Sequence, residues 1–138
     1  MSDASAVAFG RAAAEARMTD ACTITRPGAG DPVFDPESGE MVPPAPVTMY
    51  SGVCRVKAVT AAVTEVDAGE RQVGVVRLEV HLPVEHATYD TAKVHRGDTV
   101  TVTAATLDPG LVGRTFTVSA GFVGSQNTAR RLPVEAVE

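Results

Sequence analysis

The fold is decided by one stretch near the middle of the chain, which follows Arg71 and reads Gln72-Val73-Gly74-Val75-Val76-Arg77-Leu78-Glu79-Val80-His81-Leu82. From residue 76 onward apolar and polar residues alternate. Successive side chains of a β-strand point to opposite faces, so the apolar set Val76, Leu78, Val80 and Leu82 faces one way and the polar set Arg77, Glu79 and His81 faces the other. The pattern predicts a long, half-buried strand that needs partner strands to remove its apolar face from water.

Runs with strand composition lie on both sides of this stretch, at residues 21–26, 50–57, 99–104, 115–123 and 131–137. Their alternation predicts an inward set: Cys22, Ile24, Tyr50, Cys54, Val56, Val100, Val102, Ala104, Phe116, Val118, Ala120 and Phe122. Pro133 cannot donate a ladder hydrogen bond, so we expect the last strand at an edge or a bulge. We therefore predict a mainly β protein, a small β-barrel or sandwich with long loops and one N-terminal α-helix.

Length and composition indicate a single domain covering residues 1–138, with a core of Val, Ala and Leu. Aromatic residues make up 4% of the chain and Trp is absent. A surface that stacks bases or sugars needs exposed aromatic rings. The composition therefore argues against a stacking function.

The formal net charge of −5 arises in the first half of the chain. Residues 1–70 hold ten acidic and five basic residues, whereas residues 71–138 hold seven of each. Proteins that grip phosphate backbones usually show a basic excess. Avid nucleic-acid binding is thus disfavoured, although a channel that lets DNA pass needs no basic surface.

The two cysteines, Cys22 and Cys54, fall at inward strand positions, where free thiols act as small hydrophobes. The N-terminal residues do not resemble a secretory signal, so we expect a reduced, cytosolic protein, with a disulfide as the lesser alternative. No apolar segment is long enough to span a membrane, and no membrane partner is expected.

The excursion at residues 27–48 holds six of the nine prolines and four acidic residues but no basic one. Within it, residues 33–42 predict a small hairpin, with a turn at Asp35-Pro36 and a positive φ at Gly39. A second loop covers residues 58–71. Long excursions in a compact domain are usually functional or disordered.

Residues 3–18 are rich in Ala and predict a helix, capped by Ser2 or Asp3 and weakened by Gly10. Its bulky apolar residues are too few to define a strong core stripe. Two interpretations stay open: the helix lies against its own sheet, or it docks on another subunit through Val7, Phe9 and Arg11.

No motif in the sequence strongly indicates catalysis or metal binding. The spacing of His81, His86 and His95 matches no metal signature, and the acids of loop 27–48 lack the EF-hand pattern. Arg96-Gly97-Asp98 spells an adhesion tripeptide, but Gly-Asp before a strand is ordinary turn chemistry. No nucleophile elbow, Cys-His signature or P-loop occurs. We expect no enzymatic activity, no cofactor and no metal.

Several local phrases are similar, in their order, to those of tailed-bacteriophage head–tail connector proteins, in particular head-completion or stopper proteins of actinobacterial siphophages. They are Met18-Thr19-Asp20-Ala21-Cys22-Thr23-Ile24-Thr25-Arg26, Asp35-Pro36-Glu37-Ser38-Gly39-Glu40, Tyr50-Ser51-Gly52-Val53-Cys54-Arg55-Val56, Val94-His95-Arg96-Gly97-Asp98-Thr99-Val100-Thr101-Val102, Leu111-Val112-Gly113-Arg114-Thr115-Phe116-Thr117-Val118 and Arg130-Arg131-Leu132-Pro133-Val134-Glu135.

The resemblance implies a structural virion protein that assembles in the host cytoplasm and ends at the head–tail interface. It would form a ring, typically of twelve copies, with the portal and adaptor on one side and the tail terminator or tail tube on the other. Such a ring helps to retain packaged DNA and contacts that DNA transiently. Its two unlike sides require two different docking surfaces on each subunit.

The N-terminal helix and the loops would face these unlike partners, and two acidic loops hold further candidate residues. Glu65, Asp67 and Glu70 form a candidate channel loop, where carboxylates from every subunit would repel DNA phosphate. Asp31, Asp35, Glu37 and Glu40 form a candidate docking loop. The alternatives are a head–tail adaptor or tail terminator and, from another class, an OB-like barrel that binds nucleic acid or sugar.

Overall fold

In the computed structural model, which describes residues 2–60, 64–65, 72–73 and 76–137, six strands close into an antiparallel β-barrel. The elements are α1 Asp3–Ala16, β1 Asp20–Arg26, β2 Val33–Asp35, β3 Glu40–Val42, β4 Val47–Thr60, β5 Thr64–Glu65, β6 Gln72–Val73, β7 Val76–Leu82, β8 Thr99–Ala105, β9 Thr115–Val118 and β10 Arg130–Ala136. The barrel order is β1-β4-β7-β10-β9-β8, and β2–β3 and β5–β6 form two small separate sheets. The predicted mainly β fold with one N-terminal helix is confirmed.

Residues 76–82 of the central stretch form β7, which pairs with β4 on one side and β10 on the other, whereas Gln72–Val73 belong to the separate β5–β6 sheet. Val80 and Leu82 are fully buried in the barrel core, whereas Arg77 is exposed. His81 also lies on the outer face, as predicted, but it is buried there among residues of α1, β4 and β10. Strand alternation cannot predict this burial, because the residues that bury His81 belong to elements distant in sequence.

Strand β4 is longer than predicted because two partners share it. Residues 47–54 pair with β1, and residues 55–60 pair with β7. The predicted loop boundaries at Thr48 and Ala58 were therefore wrong by two and three residues respectively. A register shift at Ile24/Thr25 marks a bulge in the β1–β4 pairing.

The inward prediction for Ala104 was wrong. The register shifts between Ala21 and Cys22, which pair with Ala104 and Val102, so Thr103 is an extra residue in β8. Such a bulge reverses the alternation that follows it. Ala104 is therefore exposed, and Ala105 packs partly against the core.

The strand predicted over residues 115–123 ends at Val118. Phe116 and Val118 are buried as expected, but Ala120 and Phe122 are exposed, so their inward placement was wrong. The Ser119 N–H still donates to Pro133 O at 2.8 Å, and the pairing between β9 and β10 stops there.

Pro133 lies in a strand with neighbours on both sides, so the predicted edge or bulge position was wrong. Its carbonyl accepts from Ser119, on the β9 side of the strand. The N–H and C=O of one strand residue point to the same side, so the missing N–H of Pro133 faces the place where β9 ends. The β7 ladder opposite Glu79 therefore loses no hydrogen bond.

The core consists mainly of aliphatic side chains, with Phe116, the two cysteines and one buried tyrosine, Tyr50, whose hydroxyl donates to Val53 O. Tyr50 packs edge-to-face against His86 and Tyr89. A Cβ at Gly52 would lie 2.9 Å from the Tyr50 hydroxyl, so this position requires glycine. Cys22 and Cys54 are buried free thiols at the predicted inward positions.

Helix α1 begins as predicted, with the Ser2 hydroxyl accepting from Ser5 N, but it ends at Ala16 rather than at residue 18. Arg17 caps it, and Met18 turns into a buried position. Only Val7, Gly10, Arg11 and Ala14 are partly buried on the helix, and none of its residues is fully buried. The helix thus lies on its own barrel through one narrow stripe.

Candidate interaction surfaces

The predicted hairpin at residues 33–42 is confirmed as β2–β3. The Asp35 carboxylate closes the turn by accepting from Glu37 N at 2.9 Å and from Ser38 Oγ at 3.1 Å. Gly39 has a φ of +72°, the left-handed conformation that the turn was expected to need. Local turn chemistry therefore forms the hairpin without help from the barrel.

The hairpin exposes apolar side chains on a surface that is otherwise acidic. Phe34 is 58% exposed and Met41 59%, and Val33 and Val42 are also exposed. Asp31, Glu37 and Glu40 of the candidate docking loop are exposed around them, and Asp35 is partly buried in the turn. Phe34 and Met41 share one face of the hairpin, and exposed apolar residues with a polar rim are typical of protein–protein contacts.

A row of cationic and imidazole side chains crosses three strands on the outer face of the barrel. The strand register places His81 of β7 opposite Arg55 of β4 and opposite Arg131 of β10. Lys57 lies opposite Glu79 in the next row. Among the described residues, Arg55, Lys57 and Arg131 have no carboxylate within salt-bridge distance. Two arginines without a carboxylate partner thus lie on either side of His81, so this cationic row favours an anionic partner.

His81 is the buried member of the cationic row, with a side chain that is 9% exposed. Burial lowers its pKa, and the charges of Arg131 and Arg55 add to that effect, while the nearby Glu79 carboxylate opposes it. Its Nε2 lies 3.6 Å from Glu79 Oε1 and has no hydrogen-bond partner among the described residues. The neutral ring therefore presents an unsatisfied polar atom beneath α1.

An apolar groove of about 580 Å³ lies beside the cationic row. Leu78, Leu107 and Leu111 form its apolar wall, and Arg17 and Arg55 lie at its border. Leu107 is 80% exposed. No local sequence pattern predicts this groove or the cationic row, because their residues come together only through strand register.

The candidate helix residues point in different directions. Val7 faces the barrel, and Arg11 Nε donates to Asn127 O at 3.0 Å while its Nη1 lies 3.7 Å from Glu85 Oε1. Phe9 is 73% exposed. The interpretation in which α1 lies on its own sheet thus describes Val7 and Arg11, and Phe9 remains available to another molecule.

For the candidate channel loop, the structure gives only the position of Glu65, which ends the two-residue strand β5 opposite Gln72. Asp67 and Glu70 lie outside the described residues. Their grouping stays a prediction.

The tripeptide Arg96-Gly97-Asp98 has a structural role. Asp98 is fully buried, and Arg26 donates to its two oxygens at 2.8 and 2.9 Å. The His95 N–H donates to Asp98 Oδ2 at 3.0 Å, and Gly97 has a φ of +95°. A buried, paired carboxylate cannot serve as an adhesion ligand, so the turn interpretation is confirmed.

Within the parts of the chain that the structure describes, no three His, Cys, Asp or Glu side chains are grouped as a metal site would require. Likewise, none of the described helices is long and apolar enough to cross a membrane. Of the three histidines, His86 packs between two tyrosines and His95 borders Asp98.

These features define a closed antiparallel β-barrel protein whose distinctive surfaces are an acidic apolar hairpin and a cationic row beside an apolar groove. By sequence, the chain belongs to the Family of unknown function (DUF6093), whose model matches residues 10–135. Searches of curated proteins and of solved structures gave no match.

Proposed function

We propose that this protein is a structural subunit of a tailed-bacteriophage virion, a head-to-tail stopper or head-completion protein. It joins the portal and adaptor to the tail terminator or tail tube as a ring, and it helps to retain packaged DNA. This proposal extends the sequence resemblance to connector proteins. The observation that carries it is the β2–β3 hairpin, which exposes Phe34 and Met41.

A further feature supports a role in assembly. The hairpin and the exposed Phe9 lie on different elements, as two unlike partners require.

The first experiment measures the mass of the purified protein alone and after mixing with DNA-filled, tailless heads. A stopper binds the heads stoichiometrically and makes them competent to accept tails. An adaptor binds portals that lack their adaptor, and a tail terminator binds tails instead of heads. Protein that ignores heads and tails but binds an oligonucleotide or a glycan contradicts the proposal and favours a binding barrel.

A second experiment addresses the channel loop. Replacing Glu65, Asp67 and Glu70 by the corresponding amides removes three negative charges from each subunit. If these carboxylates line the channel, DNA retention or ejection changes while the ring still assembles. Virions of this variant that retain and eject DNA normally would exclude the channel role for this loop.

A further inference from the structure

We propose that the β2–β3 hairpin of one copy docks on the cationic row and apolar groove of a second copy of this chain. The contact is head-to-tail: each copy gives its hairpin to one neighbour and receives a hairpin from the other. The inference deepens the proposed ring, on which it rests for the number of copies, and it names the surfaces that join the subunits.

Strand register places the hairpin and the groove at opposite ends of the barrel. The hairpin follows the end of β1, where Arg26 pairs with Val47. The groove lies at the start of β1, where Asp20 pairs with Cys54 and with Ala105. At about 3.3 Å per residue, the seven residues of β1 separate the two ends by roughly 20 Å. This separation favours an occupant from another copy.

The two surfaces are complementary in charge. Residues 27–48 hold four acids and no base. The receiving surface combines the groove, the cationic row and the neighbouring Lys57. Its arginine and lysine side chains have no carboxylate within salt-bridge distance among the described residues. Asp20 and Asp108 also line the groove and keep their negative charges while accepting from Val56 N and Gly110 N. The four bases Arg17, Arg55, Lys57 and Arg131 outnumber the three acids Asp20, Glu79 and Asp108, so the receiving surface has a small positive excess.

The two surfaces also match in their apolar parts. On the hairpin, Phe34 and Met41 are opposite each other in the β2–β3 register and more than half exposed. On the receiving side, Leu107 is exposed and Leu78 and Leu111 are partly buried. Docking removes both apolar sets from water, which a contact between charges alone would not do.

A contact between two different patches of one chain is heterologous. Repetition of such a contact closes into a ring if the rotation between copies allows it and otherwise grows into a filament. The geometry of one hairpin and one groove per copy thus suits a ring.

Zero-length crosslinking tests the contact directly. A carbodiimide joins a carboxylate to a lysine amine, and the chain has only two lysines, Lys57 next to the cationic row and Lys93 near the hairpin end. Mixing ¹⁴N and ¹⁵N protein identifies crosslinks between copies by mass spectrometry. We expect Lys57 to be crosslinked to Glu37 or Glu40 of another copy. These crosslinks should be at least about tenfold more frequent than crosslinks between copies at Lys93. Equal labelling of the two lysines, or no crosslink between copies in solution or on heads, overturns the proposal.

Two variants test the direction of the contact. A hairpin variant carries Phe34→Ser and Glu37→Gln, and a groove variant carries Arg55→Gln and Leu107→Ser. We expect each to lose self-association by at least about tenfold, and an equimolar mixture to form 1:1 dimers that do not grow, because one intact hairpin meets one intact groove. The matched control, Val123→Ser with Glu135→Gln, changes exposed residues elsewhere and should associate as wild type.

The results separate this inference from the proposed function. If heads bind wild type and both variants equally and Lys57 forms no crosslink, the proposed interface is excluded and the stopper function is still supported. If Lys57 forms crosslinks between copies but the protein binds no heads, the proposed interface is supported and the stopper function is excluded. A mixture of the two variants that stays monomeric contradicts the head-to-tail contact.

Discussion

The ion pair between Arg26 and Asp98 is the main polar contact inside the protein. It ties the end of β1 to the turn before β8, and Arg26 Nη2 also donates to Lys93 O at 2.9 Å. Burial alone would raise the pKa of Asp98, but the hydrogen bonds from Arg26 and from His95 N, with the Arg26 charge, outweigh it and lower the pKa below 3.8. The folded state therefore holds this carboxylate ionised.

Replacing Asp98 by Asn should lower the free energy of unfolding by about 2–4 kcal/mol at neutral pH, because it leaves Arg26 without its partner. A lowered folded pKa stabilises the protein above the unfolded value of 3.8, and this stabilisation disappears as pH falls through the folded pKa. The difference in free energy of unfolding between wild type and the Asp98→Asn variant should therefore decrease below about pH 4. Urea unfolding at several pH values measures it.

The control is Asp31→Asn, which removes an exposed carboxylate from the hairpin segment. It should change stability by less than about 0.5 kcal/mol at every pH. A cost for Asp98→Asn that stays the same down to pH 2 would contradict the role of its ionised form.

The paired thiols of Cys22 and Cys54 should be unreactive in the folded protein. The hydrogen bond to Cys54 and then burial raise the pKa of Cys22, so the thiolate that attacks alkylating reagents is scarce. We expect iodoacetamide to modify both cysteines at least about 100-fold more slowly in buffer than in guanidinium. Rapid labelling of native protein under conditions that preserve its circular dichroism would disprove this.

At the scale of elements, α1 is the part least integrated into the fold. A helix of 14 residues is marginal by itself, and this one contacts the barrel mainly through Val7, Gly10, Arg11 and Ala14. A Cβ at Gly10 would lie 2.7 Å from Thr128 Cγ2, so the absence of a side chain allows the close approach. Helix docking thus depends on a small stripe.

We expect the amide hydrogens of α1 to exchange at least about tenfold faster than those of β7 and β10, because local opening of α1 exposes little apolar surface. Gly10→Leu should increase exchange in α1 further, although it raises helix propensity. Ala6→Leu, at an exposed position of the same helix, is the matched control and should not. Hydrogen exchange with mass spectrometry measures the protection of α1 in both variants. Equal protection in Gly10→Leu and Ala6→Leu would contradict the inference that α1 docks through this stripe.

For the whole molecule, the net charge of −5 opposes binding to nucleic acid, and the cationic row is the main local exception. We expect a Kd for single-stranded DNA weaker than about 100 μM at 0.15 M salt. Fluorescence anisotropy measures it. Micromolar binding that disappears in a variant with Arg55→Gln and Arg131→Gln would instead indicate a nucleic-acid-binding barrel.

The sequence by itself determined the features that depend on neighbours along the chain. Alternation located β7 and the faces of Val80 and His81, and turn chemistry located the β2–β3 hairpin with its positive φ at Gly39. These signals are local, because side-chain direction in a strand and the conformation of a tight turn depend on a few adjacent residues.

Only the tertiary structure decided which distant residues meet. Barrel closure set the register that aligns Arg55, His81 and Arg131, and it paired Arg26 with Asp98 across 72 positions of sequence. The bulge at Thr103 and the end of β9 at Val118 also follow from pairing with other strands, which is why Ala104 and Phe122 were misplaced. Register depends on the packing of the whole barrel, and no local pattern records it.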